Sequence, residues 1–323
     1  MNRAIFFSKH LLDSIRDSYK VYKYFNLKKY NNFLILLKIF FIRFFYSFEG
    51  IRNKIKPKFP SKEIRLKDNL FSDKKLNSYK IINDIDKKGY SETFLLKKKI
   101  TDNILKESLH NDEFVLNKID PNIKVKDLKI LDNENIDSYI KRLSSHKISR
   151  LTKTINLSDK KSELNKLIMS DEVLNIAKNY LNTKEISINA SFFISNPLET
   201  SENEKYRNAQ YFHWDNDFTR FIKLYIYLND VNYDNGPHIF IPETHKFKKP
   251  NNKLCRLYSD INIENNYAKS KIFTGNAGSM FFVDSFGIHK GIPPSKSHRL
   301  MLNVHFGRGK ILYTKYDKYI KLN

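Results

Sequence analysis

The chain has 323 residues, enough to bury one large core or two smaller ones, and its 25 Phe and 19 Tyr argue against disorder despite 29% charged residues. A formal net charge of +23 invites nucleic acid or an anionic surface as partner. The lysines are scattered, Asn and Ile are abundant beside them, and no nucleic-acid-binding motif is present, so the charge reads as compositional bias and specific nucleic-acid binding is not expected; an anionic surface or substrate is the competing reading.

Residues 1–30 mix basic and aromatic side chains without a clean apolar run and small-residue cleavage site, so a signal peptide is not expected. The next stretch, 33–48, is strongly apolar but broken by Lys38 and Arg43. It is too short and too interrupted for a membrane span. It reads as a helix packed on the domain or on a second subunit, with attachment to a membrane surface as the alternative. Residues 52–68 are basic, carry Pro57 and Pro60, and read as a linker, so that 1–60 forms an extension separable from the rest of the chain.

From 61 to 180 the pattern is mostly helical, with apolar residues at three- and four-residue spacing over 100–109, 136–143 and 173–181. Asp171 and Glu172 suit the start of the last of these helices. After Asn182 the period becomes that of strands, at 185–195, 221–231, 237–242, 271–273, 279–283 and 299–306. Asn235-Gly236-Pro237, Gly275 and Gly278 punctuate them with turns. Short strands with little helix between them predict an antiparallel sandwich or barrel over 181–312, followed by a tail at 313–323; no internal repeat is visible. Cys255 is the only cysteine, which excludes an intramolecular disulfide and fits a cytoplasmic setting, with membrane association through 33–48 as the variant of that expectation.

The chemistry concentrates in Gln210-Tyr211-Phe212-His213-Trp214-Asp215. On a strand, the His213 and Asp215 side chains project to one side and can share a metal ion, while Trp214 points away. His289 supplies a third candidate ligand, and two histidines with one carboxylate form the facial triad of non-haem Fe(II) oxygenases. Ten residues further, Arg299 opens a strand and can set its planar fork against a carboxylate inside the barrel.

With these residues the sequence resembles the phytanoyl-CoA dioxygenase family of Fe(II)/2-oxoglutarate oxygenases. The resemblance is carried by residues 210–215, by Asn235-Gly236-Pro237-His238-Ile239-Phe240-Ile241-Pro242-Glu243-Thr244-His245-Lys246, and by His289-Lys290-Gly291 with Arg299; it covers about 180–310. Glu243 stands where the family has Gly in its P-G-[ST]-H corner, a change in a turn that leaves the ligands untouched. The resemblance implies an α+β fold with a double-stranded β-helix core, a cupin-like jelly roll behind a helical N-terminal region. It also implies iron held by His213, Asp215 and His289, and Arg299 on the distal carboxylate of 2-oxoglutarate.

O2 would be the oxidant and ascorbate a candidate reductant, with hydroxylation of a small molecule and release of succinate and CO2. Asp215 favours hydroxylation, because related halogenases replace that carboxylate with a small residue. Asn189 and Tyr225 occupy places where such enzymes put polar contacts to the co-substrate, although alternation alone does not say which face of the Lys223-Tyr225-Tyr227 strand points inward. Among the other histidines, His245 reads as a structural member of the corner, His298 as facing away from Arg299, His238 as an alternative ligand, and His305 as sharing the face of Arg299. Asp217 reads as a supporting or surface residue. The competing readings are a non-catalytic jelly roll and a metalloenzyme indifferent to 2-oxoglutarate.

Overall fold

The computed structural model describes residues 11–16, 18–19, 33–60, 70–72, 77–115, 122–249, 256–312 and 314–322. Cys255, most of 1–30 and positions 61–69, which include the last part of the expected linker, lie outside them.

The strands are β1 Phe94–Leu95, β2 Arg150–Thr154, β3 Glu185–Ser195, β4 Phe212–His213, β5 Phe221–Tyr227, β6 His238–Phe240, β7 Leu257–Tyr258, β8 Lys271–Phe273, β9 Ser279–Val283, β10 His289–Gly291, β11 Arg299–Arg308 and β12 Lys318–Lys321. All pairings are antiparallel. A seven-stranded sheet runs β1-β9-β5-β11-β3-β12 with β2 also on β3, and a five-stranded sheet runs β7-β4-β10-β6-β8. The two sheets face each other as the jelly roll requires. Three strands extend the larger sheet beyond expectation: β1 and β2 lie inside the stretch read as helical, and β12 turns the supposed tail into a further partner for β3. All three are short segments whose pairing is decided by the longer strand beside them rather than by their own pattern.

Alternation sorts the larger sheet into two faces. Leu224, Ile226, Leu300, Leu302, Val304, Ile188, Ala190 and Phe192 join one apolar cluster with residues of the helices Ser78–Lys88, Ile136–Ser145 and Asp171–Leu181. The opposite face carries Lys223, Tyr225 and Tyr227 on β5, and their ladder partners His305, Asn303 and Met301 on β11. That second face looks into the barrel, because Lys223 reaches Asp215 and the Tyr225 ring lies 4.6 Å from the His238 ring of the other sheet.

The apolar stretch near the N-terminus forms the helix Phe33–Phe45 and packs on the domain. Ile39 and Ile42 enter a cluster with Phe212, Trp214 and Phe286 on the outer side of β4. The two charges that interrupt the stretch are both used: Lys38 Nζ donates to the Lys310 carbonyl at 2.7 Å, and Arg43 pairs with Asp217 at 3.1 Å. Phe41 and Phe45, 52% and 40% exposed, form the outer edge of this helix. Among the described residues no helix is long and apolar enough to cross a membrane.

The separable extension expected for 1–60 is corrected here, since residues 38–58 are built into the core. Arg52 is 2% exposed, and its guanidinium donates to Asp284 at 3.0 Å and to the Thr219 carbonyl at 3.0 Å. Asn53 donates to the Lys246 carbonyl, and the Lys58 N–H to that of Asn179. Basic residues beside prolines look like a solvated linker, and nothing local in the sequence shows that one arginine has a buried carboxylate 232 positions away.

Candidate metal centre

β4 and β10 are neighbours in register, with His213 directly opposite His289. Directly opposed residues share a face, so both imidazoles enter the barrel, their ring centres 4.3 Å apart. β4 ends at His213, and Asp215 lies beyond it rather than on an extended strand. Its position is set instead by its N–H, which donates to the Ser285 carbonyl at 2.8 Å, just ahead of β10. The Asp215 oxygens then lie 3.9 Å from His213 Nε2 and 3.5 Å from His289 Nε2. One ligand atom from each of the three residues falls within 4.8 Å of the others.

The backbone fixes which ring nitrogens are available. His213 Nδ1 lies 2.9 Å from the Tyr211 carbonyl, and His289 Nδ1 2.9 Å from the Gly287 carbonyl. A carbonyl only accepts, so each Nδ1 carries the proton and each Nε2 turns a bare lone pair toward Asp215. Burial, first of all, holds His213 down to about 4 and His289 to about 3, so both are neutral at physiological pH. Burial alone would raise Asp215, but the Lys223 ammonium at 2.6 Å outweighs it and keeps the carboxyl well below the usual carboxylate range. Two neutral nitrogen donors and one carboxylate are the donor set that a divalent transition metal takes. The residues present therefore fit an iron ion.

Lys223 is the neighbour of the candidate triad that sequence reading did not single out. It is a lysine inside an apolar strand, in step with Tyr225 and Tyr227, and that break in composition was its only local signal. The ammonium binds Asp215 Oδ2 and orients the carboxylate, as partners of metal ligands do.

Arg299 opens β11 and is buried. Its guanidinium lies against Gly291, where an added Cβ would sit 3.2 Å from Nη2. Nη1 donates to the Ile292 carbonyl at a long 3.5 Å, and Nε has no partner among the described residues. Burial pushes the guanidinium below its usual range, opposed only by Tyr227 and Tyr225. A buried guanidinium without a carboxylate is costly, and an incoming carboxylate would relieve it.

Tyr225 faces the same space, beside His238. Asn189 is also on the inner face, but opposite His305 in the row of Lys223, six residues along β3 from Ser195, the ladder partner of Arg299. That is about 20 Å, so Asn189 belongs to the end of the barrel away from the guanidinium. His305 faces inward, boxed by Phe218 and Phe221. Trp214 points out of the barrel against Phe286. Asp217 ties down the helix Phe33–Phe45, and His245 donates from Nε2 to the Asp86 carbonyl at 3.1 Å.

Among solved structures, the chain is similar to AviO1 from Streptomyces viridochromogenes Tue57, with 14% identity over 70% of this chain and 93% of that one and a TM-score of 0.44. HygX from Streptomyces hygroscopicus, with nickel and 2-oxoglutarate bound, shares 10% identity over 71% and 86% of the two chains with a TM-score of 0.46. The epimerase SnoN from nogalamycin biosynthesis shares 12% over 72% and 80% with a TM-score of 0.44. No curated protein sequence matches significantly. The family model described as phytanoyl-CoA dioxygenase (PhyH) matches residues 130–299, more than half of the sequence, and the chain belongs to the phytanoyl-CoA dioxygenase family.

Proposed function

We propose that this chain is an Fe(II)- and 2-oxoglutarate-dependent oxygenase that hydroxylates a C–H bond of an anionic or CoA-linked small molecule. The observation that carries the reading is the pairing of two incomplete groups within one barrel: a neutral, neutral, anionic ligand triad and a buried guanidinium without its anion. Iron and 2-oxoglutarate, when bound, supply the oxidising chemistry, with release of succinate and CO2.

The protein's own part is positioning. His213 and His289 present their Nε2 lone pairs, while Lys223 holds one oxygen of Asp215 and leaves the other for the metal. Arg299 binds the far carboxylate of the co-substrate through its fork. Phe240, Phe273, Phe281 and Val283 pack one side of the barrel shut and keep water from the reacting centre. His213 and Asp215 keep 16% and 15% of their side chains exposed, so the triad opens on their side, where a substrate enters. Arg150 and Arg256 both act electrostatically on His213 at that edge, which favours an anionic substrate. Because Asp215 fills the carboxylate position, it favours hydroxylation over halogenation.

The test is succinate formation and O2 uptake by Fe(II)-reconstituted protein supplied with 2-oxoglutarate. His213→Ala and His289→Ala are expected to lower both to background. Near-normal turnover in either variant contradicts the ligand assignment. Fe(II) binding that is unaffected by 2-oxoglutarate, with Arg299→Ala indistinguishable from the parent, would instead establish a metal-binding jelly roll that does not use this co-substrate.

A further inference from the structure

Among the buried polar groups inside the barrel that have no partner among the described residues, one lies beside the Arg299 guanidinium. His238 is 3% exposed, and its Nε2 has no hydrogen-bond partner among the described residues. Its ring is enclosed by Tyr225, His289, Phe273 and Phe281, at 4.6, 5.4, 5.9 and 5.9 Å between centres. A leucine would fill that space without stranding a polar atom, whereas a buried unpaired nitrogen is a standing cost to the folded state.

The register shows what the imidazole lies beside. His238 is the ladder partner of Gly291, and Gly291 is two residues from His289, so all three positions belong to the inner face. The Arg299 guanidinium occupies the space in front of Gly291. The His238 ring and the guanidinium thus flank the same rung of the sheet, with the triad one step away at His289.

We infer that His238 is a second anchor for the distal carboxylate of the 2-oxo acid, its Nε2–H donating to one oxygen while Arg299 engages the other. The inference rests on the oxygenase reading above. A carboxylate accepts only, so the imidazole is the Nε2–H tautomer, and the ring stays neutral while it donates. Arg299 alone presents a fork to a carboxylate that can still swing about it; a second donor from β6 fixes the plane of that carboxylate and hence the direction in which the oxo acid runs toward the triad.

The experiment is calorimetric titration of Ni(II)-loaded protein, which does not turn over, with 2-oxoglutarate and with 2-oxobutyrate, which lacks the distal carboxylate. His238→Leu is expected to weaken 2-oxoglutarate about tenfold or more, the loss of one hydrogen bond to a charged group, and to leave 2-oxobutyrate within about threefold. His238→Gln, which restores a donor, should recover most of the lost affinity. Equal affinities for 2-oxoglutarate in wild type and His238→Leu overturn the inference while leaving the oxygenase reading intact. Equal weakening of both ligands overturns it too, by giving His238 a packing role. A wild-type protein that takes Ni(II) but neither oxo acid removes the parent reading and the inference together.

Discussion

Two buried charge clusters lie at opposite ends of the short segment that leads into β10, and they are built on opposite principles. On the outer side, Asp284 accepts from Arg52 at 3.0 Å and the Phe286 N–H at 3.1 Å through one oxygen, and from the Tyr180 hydroxyl at 2.6 Å and Arg52 at 3.3 Å through the other. On the inner side, His213 and His289 turn lone pairs toward Asp215, and Arg299 and His238 each leave a nitrogen unpartnered among the described residues. Both clusters are largely buried, so burial does not separate structure from function here. What differs is how the two carboxylates are held: each oxygen of Asp284 accepts from two donors, whereas Asp215 has Lys223 on one oxygen and two imidazole lone pairs beside it. The two are joined through backbone, since Ser285, next to Asp284, is the residue whose carbonyl fixes the Asp215 N–H.

The largest effects should therefore fall on different properties, stability on the outer side and metal binding on the inner. Arg52→Ala strands a buried carboxylate and is expected to cost about 3–5 kcal/mol in urea unfolding of the metal-free protein. Arg52→Met combined with Asp284→Leu should recover only part of that loss, because the ion pair removed whole leaves no uncompensated charge but the Tyr180 hydroxyl and the Phe286 N–H lose their acceptor. His289→Leu gives up one hydrogen bond, from Nδ1 to the Gly287 carbonyl, and strands no charge, so apo stability should change by about 1 kcal/mol or less while Fe(II) binding disappears. Comparable destabilisation by Arg52→Ala and His289→Leu would erase the distinction between the clusters.

Lys223 tests the border between them, for its ammonium is already hydrogen-bonded to Asp215. Replacing it by Met keeps the stem and removes the ammonium from Asp215. Metal affinity should fall about 10- to 100-fold, the usual cost of losing a ligand's hydrogen-bonding partner. An unchanged affinity, read by competition with a chromogenic chelator, would assign the orientation of Asp215 to its backbone alone.

This division explains what could be read from the sequence. His213, Asp215, His289 and Arg299 stand out in the sequence as candidates because a metal and a carboxylate would demand these residue types, and the strands around them announce themselves by alternation. Strands β3, β8 and β9 fall where their patterns place them. Arg52 is not legible, because its partner is chosen by the tertiary fold and any basic residue before a proline pair looks like linker. Strand β2 was hidden for a related reason: five residues with Arg, two Thr and a Lys become a strand only because β3 offers a free edge. Asn189 illustrates the limit of face arguments, since alternation puts it inside the barrel but not at which end.

Acid should open the outer side before the Asp284 network itself fails. Burial, chiefly, depresses His245 to about 4, with Asp284 opposing. Its folded pKa lies below the unfolded value of about 6.5, so its contribution is complete above that pH and is lost as pH falls toward 4. Asp284 is also depressed, burial being outweighed by Arg52, and its contribution is lost only below the unfolded carboxylate range near 3.9. Unfolding free energy of the metal-free protein should thus fall between about pH 6.5 and 4, and His245→Gln should flatten part of that slope. A profile identical in the two proteins would show that His245 does not titrate on unfolding.

The smallest expected effect comes from Glu243, where the chain departs from the family's glycine. Its φ is +67°, in the left-handed region, so the corner keeps the backbone shape that glycine suits although the residue has changed. The corner works for the metal side: Thr244 Oγ1 accepts from the Ile288 N–H at 2.8 Å, one residue ahead of His289, while the Glu243 N–H donates to the Lys88 carbonyl at 2.9 Å. A left-handed L-residue costs about 1–2 kcal/mol, and glycine returns about 0.5–1 kcal/mol of that through its looser unfolded chain. The Glu243 side chain is exposed and gives up nothing by leaving. Glu243→Gly should therefore raise the urea midpoint slightly, by about 0–1 kcal/mol, with Fe(II) affinity unchanged. A clear loss of stability would show that the carboxylate makes an interaction worth more than the strain of its backbone, and a change in Fe(II) affinity would show that strain at this corner is transmitted through Thr244 to His289.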